Sequence, residues 1–486
     1  MKKVISDFCS QRQLPDLSLG ELGRREFLFR MGQGLGGLAL SSILHQDGLL
    51  ASTGSERPLA PRPGHSAGRA KSGIFLFMAG GPSQMDTFDP KPLLNKYHGQ
   101  PAFDGAQLRT SKRKLLYVGS PFKFKKYGQC GTEVSDMFPN LATCVDDMAV
   151  VRSIHTDSDA HSVATFLMNT GRPLPGSPSV GSWVTYGLGT ENQDLPAFVV
   201  FPASSQGGFG GGPQNWSNGY LPSIFQGTPL KSGSAPIVDL QPPVGFNSQR
   251  QQASIELLND FNKPYLEGHP SKGDLWARMK NYELAFRMQT TVPEALDVER
   301  EPRWIKELYG LNNKITEPMG RRCLMARRLV ERGVRFVQIY SKGWDSHLDL
   351  AGQHRQRGLE TDQPMAALLK DLKQRGLLDQ TMVAWGGEFG RTPQSLPNNW
   401  KFPGREHNKT AMPMWFAGGG VKGGTVVGGT DELGEKAVEN PYHLHDLHAT
   451  MLHLMGLDDM RLTYYHSGRF KRLTDLGGKV IKELLV

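Results

Sequence analysis

Five continuous apolar runs stand out along the chain, each followed by glycine or polar residues. They occupy residues 73–81, 148–154, 197–202, 334–340 and 381–387. Runs of this length, without alternating polar positions, are typical of strands that are buried on both faces of a parallel sheet. We therefore predict a strand at each of these positions.

The stretch between the last two runs has a different periodicity. In residues 364–380, the apolar positions Met365, Leu368, Leu369 and Leu372 recur at the spacing of one helix face. A strand, a helix and a second strand form the crossover that joins parallel strands. Because this alternation recurs along the chain, we predict an α/β fold with a large, mostly parallel central sheet and helices on both faces.

Two further regions complete the pattern. Residues 203–235 are rich in glycine and aromatic residues, but no Lys-Ser or Lys-Thr pair directly follows the glycine run, as a phosphate-binding loop would require. We predict a long surface loop near the site there. Residues 247–330 have a mostly helical pattern, and the clearest amphipathic segment is 321–333.

The first fifty residues resemble an export signal. Arg24 and Arg25 precede Phe27 and Leu28, and a glycine-rich apolar stretch follows that is too short and too broken for a membrane span. So many glycines would also disfavour an ordinary amphipathic helix. We predict a twin-arginine signal over residues 1–50, which implies the twin-arginine export machinery as a partner and a periplasmic or cell-surface location.

The rest of the chain is expected to form one domain. Residues 51–72 are rich in proline, serine, glycine and arginine and predict a linker, so the folded domain is expected over 73–486. A length of 486 residues alone would allow about three domains, but a large α/β sheet can form one. A hydrophobic content of 38% is sufficient for a core of that size.

Charge and cysteine content exclude some functions. The net charge of +9, from 56 basic and 47 acidic residues, is spread along the chain without a basic block. This distribution favours anionic substrates or surfaces and argues against nucleic acid as a partner. The four cysteines lie far apart and form no C-x-x-C motif, which argues against a zinc ribbon and a thioredoxin-like centre.

Carboxylates and imidazoles follow four of the predicted strands, where ligands bind in a parallel sheet. These residues are Asp86 and Asp89; His155, Asp157, Asp159, His161 and Ser162; Asp345, His347 and Asp349; and Glu388, Arg391, Arg405, Glu406 and His407. Mixed oxygen and nitrogen ligands suit Zn, Mn, Fe, Ca or Mg, and imidazole favours the transition metals.

Structural roles are the alternative for these residues. Asp86 and Asp89 could cap turns around Pro90, and Asp345 and His347 could belong to a solvated loop. The later histidine-rich segment 442–453 follows an amphipathic helical pattern, which favours structural histidines. Glu388 directly follows two glycines after a buried strand, where a carboxylate without a role is unusual.

Several motifs together resemble the exported DUF1501 family, which is placed with the sulfatase and alkaline-phosphatase superfamily. They are RREFLFRMGQGLGGLAL, MAGGPSQMDTFDPKP, PSVGSWVTYGLG, GWDSHLD, GEFGRTP and GREH. LLKDLKQRGLLDQTMVAWGGEFG, DLHATMLHLMGLDD and HSVATFLMNTGR are similar to sulfatase segments, the last to the helix that carries the nucleophile. The resemblance covers nearly the whole chain and implies an alkaline-phosphatase-like fold with a divalent metal site.

Matching the motifs position by position assigns implied roles to single residues. The implied metal ligands are Asp86, Asp345, His347, Glu388 and His407, and the implied catalytic residues are Ser162, His161 and Arg391. Ser162 would be the nucleophile, beside His161 at the position of the sulfatase nucleophile. Arg391 would hold the substrate anion, with Arg405 as the alternative.

The chain also departs from the superfamily pattern. Phe389 stands at the histidine of the Asp-His-Gly motif, which removes one ligand. No Cys-x-Pro-x-Arg motif precedes residues 168–171, so a formylglycine sulfatase is not supported.

Two functions remain open at this point. The first is an exported metal-dependent hydrolase of phosphate or sulfate esters, acting on an anionic small molecule or glycan ester with Zn, Mn, Ca, Mg or Fe as its metal. The second is a non-catalytic metal- or ligand-binding cell-surface protein that keeps the fold without the nucleophile. The converging ligands favour the first, and Phe389 favours the second. The pattern leaves the oligomeric state open.

Overall fold

The structure is a computed structural model, and the described residues fall in several ranges. They are 58–102, 115–203, 211–231, 237, 240, 242, 245–268, 273–396 and 400–486. The predicted twin-arginine signal and Cys9 lie outside the described residues.

Among the described residues, nine strands form the central sheet. In chain order they are β1 (Ser72–Ala79), β2 (Met148–His155), β3 (Phe198–Phe201), β4 (Thr228–Pro229), β5 (Phe336–Lys342), β6 (Thr381–Gly386), β7 (Met412–Ala417), β8 (Thr425–Val427) and β9 (Tyr442–His443). Their spatial order is β8-β2-β7-β6-β1-β5-β3-β4, and β9 also pairs with β2. Only β7 is antiparallel to its neighbours in this sheet.

The five predicted strands are β1, β2, β3, β5 and β6. All eight residues of β1 and all six of β6 are buried, as expected for strands that are covered on both faces. The predicted α/β class with a mostly parallel central sheet is therefore confirmed.

Helices connect and cover the strands. The α-helices of the described residues are α1 (Gln84–Thr87), α2 (Pro92–Lys96), α3 (His161–Thr170), α4 (Val180–Leu188), α5 (Ser248–Gly268), α6 (Gly273–Leu296), α7 (Arg303–Leu308), α8 (Glu317–Glu331), α9 (Leu350–Gln374) and α10 (Leu444–Leu454). Short 3-10 helices lie at Leu141–Asp147, Gly212–Trp216, Ser223–Phe225, Val298–Arg300, Leu378–Gln380 and Lys482–Leu484. The predicted helical character of residues 247–330 is confirmed by α5 to α8.

Short antiparallel ladders add to the periphery of the domain. Their paired segments are Leu116–Tyr117 with Gln394–Ser395, Phe124–Tyr127 with Thr132–Ser135, Gly390–Arg391 with His407–Asn408, Gly429–Thr430 with Ala437–Glu439, and Tyr464–His466 with Arg469–Lys471. The ladder of Gly390–Arg391 with His407–Asn408 matters most, because it brings two late segments of the chain together.

Helix α9 is the predicted crossover between β5 and β6, and it is longer than its apolar pattern indicated. It begins at Leu350, where Asp349 Oδ1 accepts a hydrogen bond from the Gly352 N–H at 3.2 Å. In its first half, buried and exposed positions are mixed and the buried ones do not form an apolar stripe. The apolar pattern of the sequence therefore predicts the helix only over residues 364–380. Since β1 lies between β5 and β6, the crossover places three carboxyl ends side by side.

The described part of the predicted linker, residues 58–71, packs along the domain. The Ser66 N–H donates to the Gly456 carbonyl at 3.1 Å, and the Ala70 N–H donates to the Leu454 carbonyl at 3.0 Å. Proline- and glycine-rich chain is extended whether it is free or docked, so composition alone does not distinguish the two. The packed part of the chain thus starts upstream of β1.

The described residues include no helix with both the length and the apolar character needed to cross a bilayer. Their cysteines, Cys130, Cys144 and Cys323, are free thiols.

Candidate metal centre

The loops after β1, β5 and β6 meet at one edge of the sheet. Gly80, directly after β1, has a φ of 117°, and a Cβ atom there would lie 2.4 Å from the Asp345 nitrogen. Gly343 turns the chain off β5 with a φ of 97°, and Trp344 is fully buried behind it. Only glycine permits this backbone conformation and this close approach at Gly80, so the two loops can touch.

Three imidazoles surround the carboxylate of Asp345. Asp345 Oδ1 lies 3.0 Å from the Nε2 atoms of both His347 and His407, and Oδ2 lies 3.1 Å from His161 Nε2. The Nε2 atoms of His347 and His407 are themselves 3.0 Å apart. We call these four residues the histidine cluster. The predicted neighbours Asp345 and His347 thus meet in space, and His161 and His407 join them from distant parts of the chain.

The other nitrogen of each ring faces an oxygen atom outside the cluster. The pairs are His161 Nδ1 with Glu388 Oε1 at 2.7 Å, His347 Nδ1 with Glu406 Oε2 at 2.8 Å, and His407 Nδ1 with the Asp159 carbonyl at 2.7 Å. Carboxylate and carbonyl oxygens accept hydrogen bonds, so each Nδ1 carries the proton and donates it. In a neutral ring, each Nε2 then directs its lone pair towards Asp345.

This donor set fits a divalent transition metal ion. Three imidazole lone pairs and a carboxylate cannot converge stably unless a cation lies among them, either protons or a metal. Ligand atoms of His161, Asp345 and His407 all lie within 4.8 Å of one another. Metal-binding histidines almost always donate their other N–H to a carboxylate or a backbone carbonyl, as these three do. Nitrogen-rich sites of this kind suit Zn²⁺ and its neighbours better than Ca²⁺ or Mg²⁺.

Without a metal, protons supply the positive charge. Burial lowers the pKa of His161, but its hydrogen bonds with Asp345 and Glu388 outweigh this effect and raise the pKa to about 9. Hydrogen bonds with Asp345 and Glu406 raise the pKa of His347 to about 9 as well. Burial alone would raise the pKa of Asp345, yet the three rings hold it well below its usual range. A metal ion that binds the Nε2 atoms must therefore displace protons.

Glu388 lies behind the ring of His161. Its side chain is fully buried, and its two oxygens accept the Gly80 N–H at 2.9 and 3.1 Å while Oε1 also accepts from His161. The resemblance implied Glu388 as a direct ligand, whereas its contacts hold the ring of His161 and the Gly80 N–H in place. Glu406 does the same for His347; it was among the polar residues noted after the predicted strands, but the resemblance assigned it no role.

Asp86 belongs to a separate buried ion pair. Its Oδ2 lies 2.7 Å from Arg405 Nε and its Oδ1 lies 3.3 Å from Arg405 Nη2, and the Ser83 hydroxyl also donates to it. Both charged side chains are fully buried. Among the described residues, no hydrogen bond of Asp86 reaches the histidine cluster, so the structure does not bring this predicted ligand to it.

Arg391 is enclosed next to Asp345. Its Nη2 donates to Asp345 Oδ1 at 2.6 Å, its Nε to the Gly81 carbonyl at 3.0 Å and its Nη1 to the Arg405 carbonyl at 3.0 Å. The side chain is fully buried, and the Gly80 carbonyl accepts from it as well. A guanidinium held in this way orients Asp345 but does not face the solvent from which a substrate anion would arrive.

Ser162, the candidate nucleophile, lies outside the cluster. It is exposed in the first turn of α3, directly after His161, and its hydroxyl makes no hydrogen bond within the described part of the chain. A serine nucleophile needs a neighbouring base or metal to activate it. His161, at the position that the resemblance assigned to a nucleophile, contacts Asp345 and Glu388 instead.

Phe389 forms an apolar side of the cluster. Its ring centroid lies 4.4 Å from that of His407 and 4.9 Å from that of His161. Phe389, at the position where the resemblance implied a histidine, thus packs against two of the cluster rings and contributes no ligand atom.

The histidines of segment 442–453 have structural contacts. His443 caps α10, His445 Nε2 lies 3.1 Å from the Gly171 carbonyl, and His448 Nε2 lies 2.8 Å from the Met168 carbonyl. These contacts join α10 to the end of α3. The preference for a structural role is consistent with this geometry.

A scan against protein-family models finds one match, over residues 70–485, to the family described as "Protein of unknown function (DUF1501)". A search of the curated proteins finds no match.

Solved structures with some likeness to the chain include three enzymes. The PsFucS1 sulfatase from Pseudoalteromonas sp. is 12% identical, with 88% of this chain and 72% of that chain covered and a TM-score of 0.35. The alkaline phosphatase from the Antarctic bacterium TAB5 is 10% identical, with 80% and 99% covered and a TM-score of 0.34. The lipoteichoic acid synthase LtaP from Listeria monocytogenes is 9% identical, with 84% and 78% covered and a TM-score of 0.36. Likenesses at this level carry no argument about the chemistry of the site.

Proposed function

The chain belongs to the DUF1501 family, and we propose that it is a metal-dependent hydrolase of phosphate or sulfate esters. The observation that supports this proposal is the histidine cluster, in which three rings donate outward through Nδ1 and direct Nε2 towards one carboxylate. A divalent transition metal bound there would supply Lewis acidity to an ester oxygen.

The residues around that ion would have different roles. His161, His407 and Asp345 would supply the innermost ligand atoms, since these lie within 4.8 Å of one another. His347, with its side chain 38% exposed, would complete the set on the solvent side. Glu388 would keep the ring of His161 in its tautomer and orientation.

The electrostatics of the site support an anionic substrate. His161 is the first residue of α3, and the cap residue Ala160 provides no side-chain acceptor for the N–H groups of the first turn. The positive end of this helix therefore lies at the cluster, where it favours a phosphate or sulfate group. The net charge of +9 acts in the same direction over longer distances. An anionic small molecule or glycan ester would suit these features.

One observation favours the second candidate function, a non-catalytic metal- or ligand-binding protein of the cell surface. Arg391 and Arg405 are both fully buried and engaged with other residues. Among the described residues, neither of the two predicted anion-binding guanidinium groups is thus free to hold the substrate. A protein that only binds a metal would not need such a group.

Metal analysis combined with an ester screen tests the proposal. Purified chain, supplied with Zn²⁺, Mn²⁺ or Fe²⁺, should hold about one ion per chain and hydrolyse p-nitrophenyl phosphate or p-nitrophenyl sulfate, because the donor set supports a Lewis-acid centre. A chelator should remove the activity, and added metal should restore it. His407→Ala should lose both metal and activity. Ser162→Ala should retain them, because Ser162 contacts none of the cluster.

The two candidate functions differ in the outcome of this screen. Bound metal without hydrolysis of either ester would favour the non-catalytic protein. A metal-replete preparation with no bound metal would contradict the hydrolase and favour a non-catalytic protein that binds a ligand other than a metal.

We also propose that the chain is exported through the twin-arginine route. Replacing Arg24 and Arg25 together with lysine should reduce the exported fraction severely, because the export machinery recognises the arginine pair. Immunoblots of the periplasmic and cytoplasmic fractions measure this effect. Arg30→Lys, in the same segment, serves as the matched control and should be exported normally. Full export of the double variant would contradict the proposal.

A further inference from the structure

The segment 343–354 contains a second histidine, His354, that does not belong to the histidine cluster. It lies in the first turns of α9, four residues after its start, and its side chain is fully buried. A buried imidazole without hydrogen bonds would destabilise the fold, so its polar atoms need partners.

Both ring nitrogens of His354 have a partner. The Ser83 N–H donates to Nε2 at 3.2 Å, and Nδ1 lies 3.0 Å from the Ser346 hydroxyl. A backbone N–H can only donate, so Nε2 accepts and Nδ1 carries the proton and donates it to Ser346. Burial lowers the pKa of His354 to about 3, which keeps the ring neutral and in this single tautomer at neutral pH.

These two hydrogen bonds connect the loops that form the metal centre. Ser83 follows β1, whereas Ser346 lies between Asp345 and His347, two members of the histidine cluster. The carbonyl of Ser346 also accepts the Arg405 N–H at 2.9 Å. Ser346 is therefore held from two sides, and any shift of its position would move the flanking cluster residues.

Packing alone does not account for an imidazole at this position. The ring of His354 contacts Trp344 edge-on, with centroids 5.4 Å apart, a contact that an apolar side chain could also make. Leucine or phenylalanine would fill the space without the cost of burying a polar ring. The distinctive contribution of histidine is the pair of directed hydrogen bonds.

We propose that His354 is a positioning residue of the metal centre, which sets the placement of Asp345 and His347 through its bonds to Ser346 and Ser83. This inference rests on the metal site of the proposed function, but not on ester hydrolysis. It predicts that His354 affects metal binding without touching the metal.

Three substitutions separate the two hydrogen bonds. His354→Leu removes both bonds, His354→Asn can keep the bond to Ser346, and His354→Gln can keep only the bond to Ser83. Groups that hydrogen-bond a metal ligand directly typically contribute about 10- to 100-fold to affinity. His354 acts through Ser346, one residue further from the metal, so His354→Leu should weaken Zn²⁺ binding by about 10-fold, the lower end of that range. His354→Asn should recover more of the affinity than His354→Gln, since Ser346 is the residue next to the ligands.

Zinc affinity by chelator competition and the absorption spectrum of the Co²⁺-loaded chain are the measurements. A merely structural role would lower the melting temperature of the metal-free variants and leave the cobalt spectrum unchanged, whereas a positioning role changes the spectrum. If His354→Leu fails to fold, Ser346→Ala removes the same bond from the other side and should also weaken Zn²⁺ binding.

The outcomes distinguish this inference from the proposed function. Wild-type affinity and spectrum in His354→Leu, or in Ser346→Ala if His354→Leu does not fold, would overturn the positioning role and leave the metal site intact. A wild-type chain that binds no Zn²⁺ or Co²⁺ would overturn the metal site and the positioning role together.

Discussion

Asp345→Ala should reduce the affinity of the chain for Zn²⁺ by more than about 100-fold, beyond the effect expected for the loss of an outer partner. Asp345 is the carboxylate that all three rings of the histidine cluster contact, with distances of 3.0 and 3.1 Å. Without it, three imidazoles share a site that lacks its central anion. Metal content after dialysis and chelator competition measure the effect. The increase in melting temperature on adding Zn²⁺ should disappear as well, because only binding to the folded state stabilises it.

The same motif contains a matched control, Asp349→Asn. Asp349 caps α9 with a positive φ of 46°, which asparagine tolerates, and it makes no hydrogen bond to the cluster within the described residues. This variant removes one carboxylate from the segment and should bind Zn²⁺ like the wild type. Equal metal content and melting temperature in Asp345→Ala and the wild type would mean that GWDSHLD is only a solvated loop.

Arg405→Met should lower the free energy of unfolding by about 3–5 kcal/mol, the usual effect of leaving one partner of a buried ion pair uncompensated. Arg405 and Asp86 are both fully buried, with Nε and Oδ2 2.7 Å apart. Methionine preserves much of the aliphatic volume but none of the charge. Denaturant unfolding of the metal-free chain measures the change, so that effects on metal binding do not enter.

Removing both charges tests whether the loss of stability comes from the unpaired carboxylate of Asp86. The double variant Asp86→Leu with Arg405→Met should be less destabilised than Arg405→Met alone, because no buried charge remains. The prediction would be contradicted if Arg405→Met lowered the free energy of unfolding by no more than about 0.5 kcal/mol, the effect of an average surface substitution.

The effect of Arg405→Met should also depend on pH. In the wild type, burial raises the pKa of Asp86, but the charge and hydrogen bonds of Arg405 outweigh it and hold the pKa below its usual value. The pair therefore stabilises the fold fully above the unfolded-state pKa of about 3.9, and this contribution is lost as the pH falls further. In Arg405→Met, the guanidinium no longer opposes the effect of burial, which raises the pKa of Asp86 against the smaller lowering effects of His354 and the Ser83 hydroxyl. The gap in stability between wild type and variant should be widest at neutral pH and narrower near pH 4.

The family and the fold class could be predicted from local sequence patterns. The motif set predicted the DUF1501 family, which the family model confirms over residues 70–485. Continuous apolar runs predicted β1 and β6, because strands that are buried on both faces leave no room for polar positions. The first half of α9 was missed for the opposite reason, since it has no apolar stripe.

Part of the candidate site could also be predicted from the sequence. Asp345 and His347 are two residues apart, and in an extended loop this spacing places both side chains on one side, which agrees with their 3.0 Å contact. Parallel strands place their following loops at one edge, which also brought Glu388 into the list of candidates.

The sequence by itself determined five of the nine strands of the described central sheet, the family and the short-range pairing of Asp345 with His347, because these depend on periodicity and on residues close together in the chain. Only the tertiary structure decided the partners of the other candidates. Asp86 meets Arg405 across 319 positions, and Glu388 meets the ring of His161 across 227. Whether a carboxylate binds a metal, a guanidinium or an imidazole depends on which group lies within about 3 Å of it. That distance is set by the packing of the whole sheet, which no local pattern encodes.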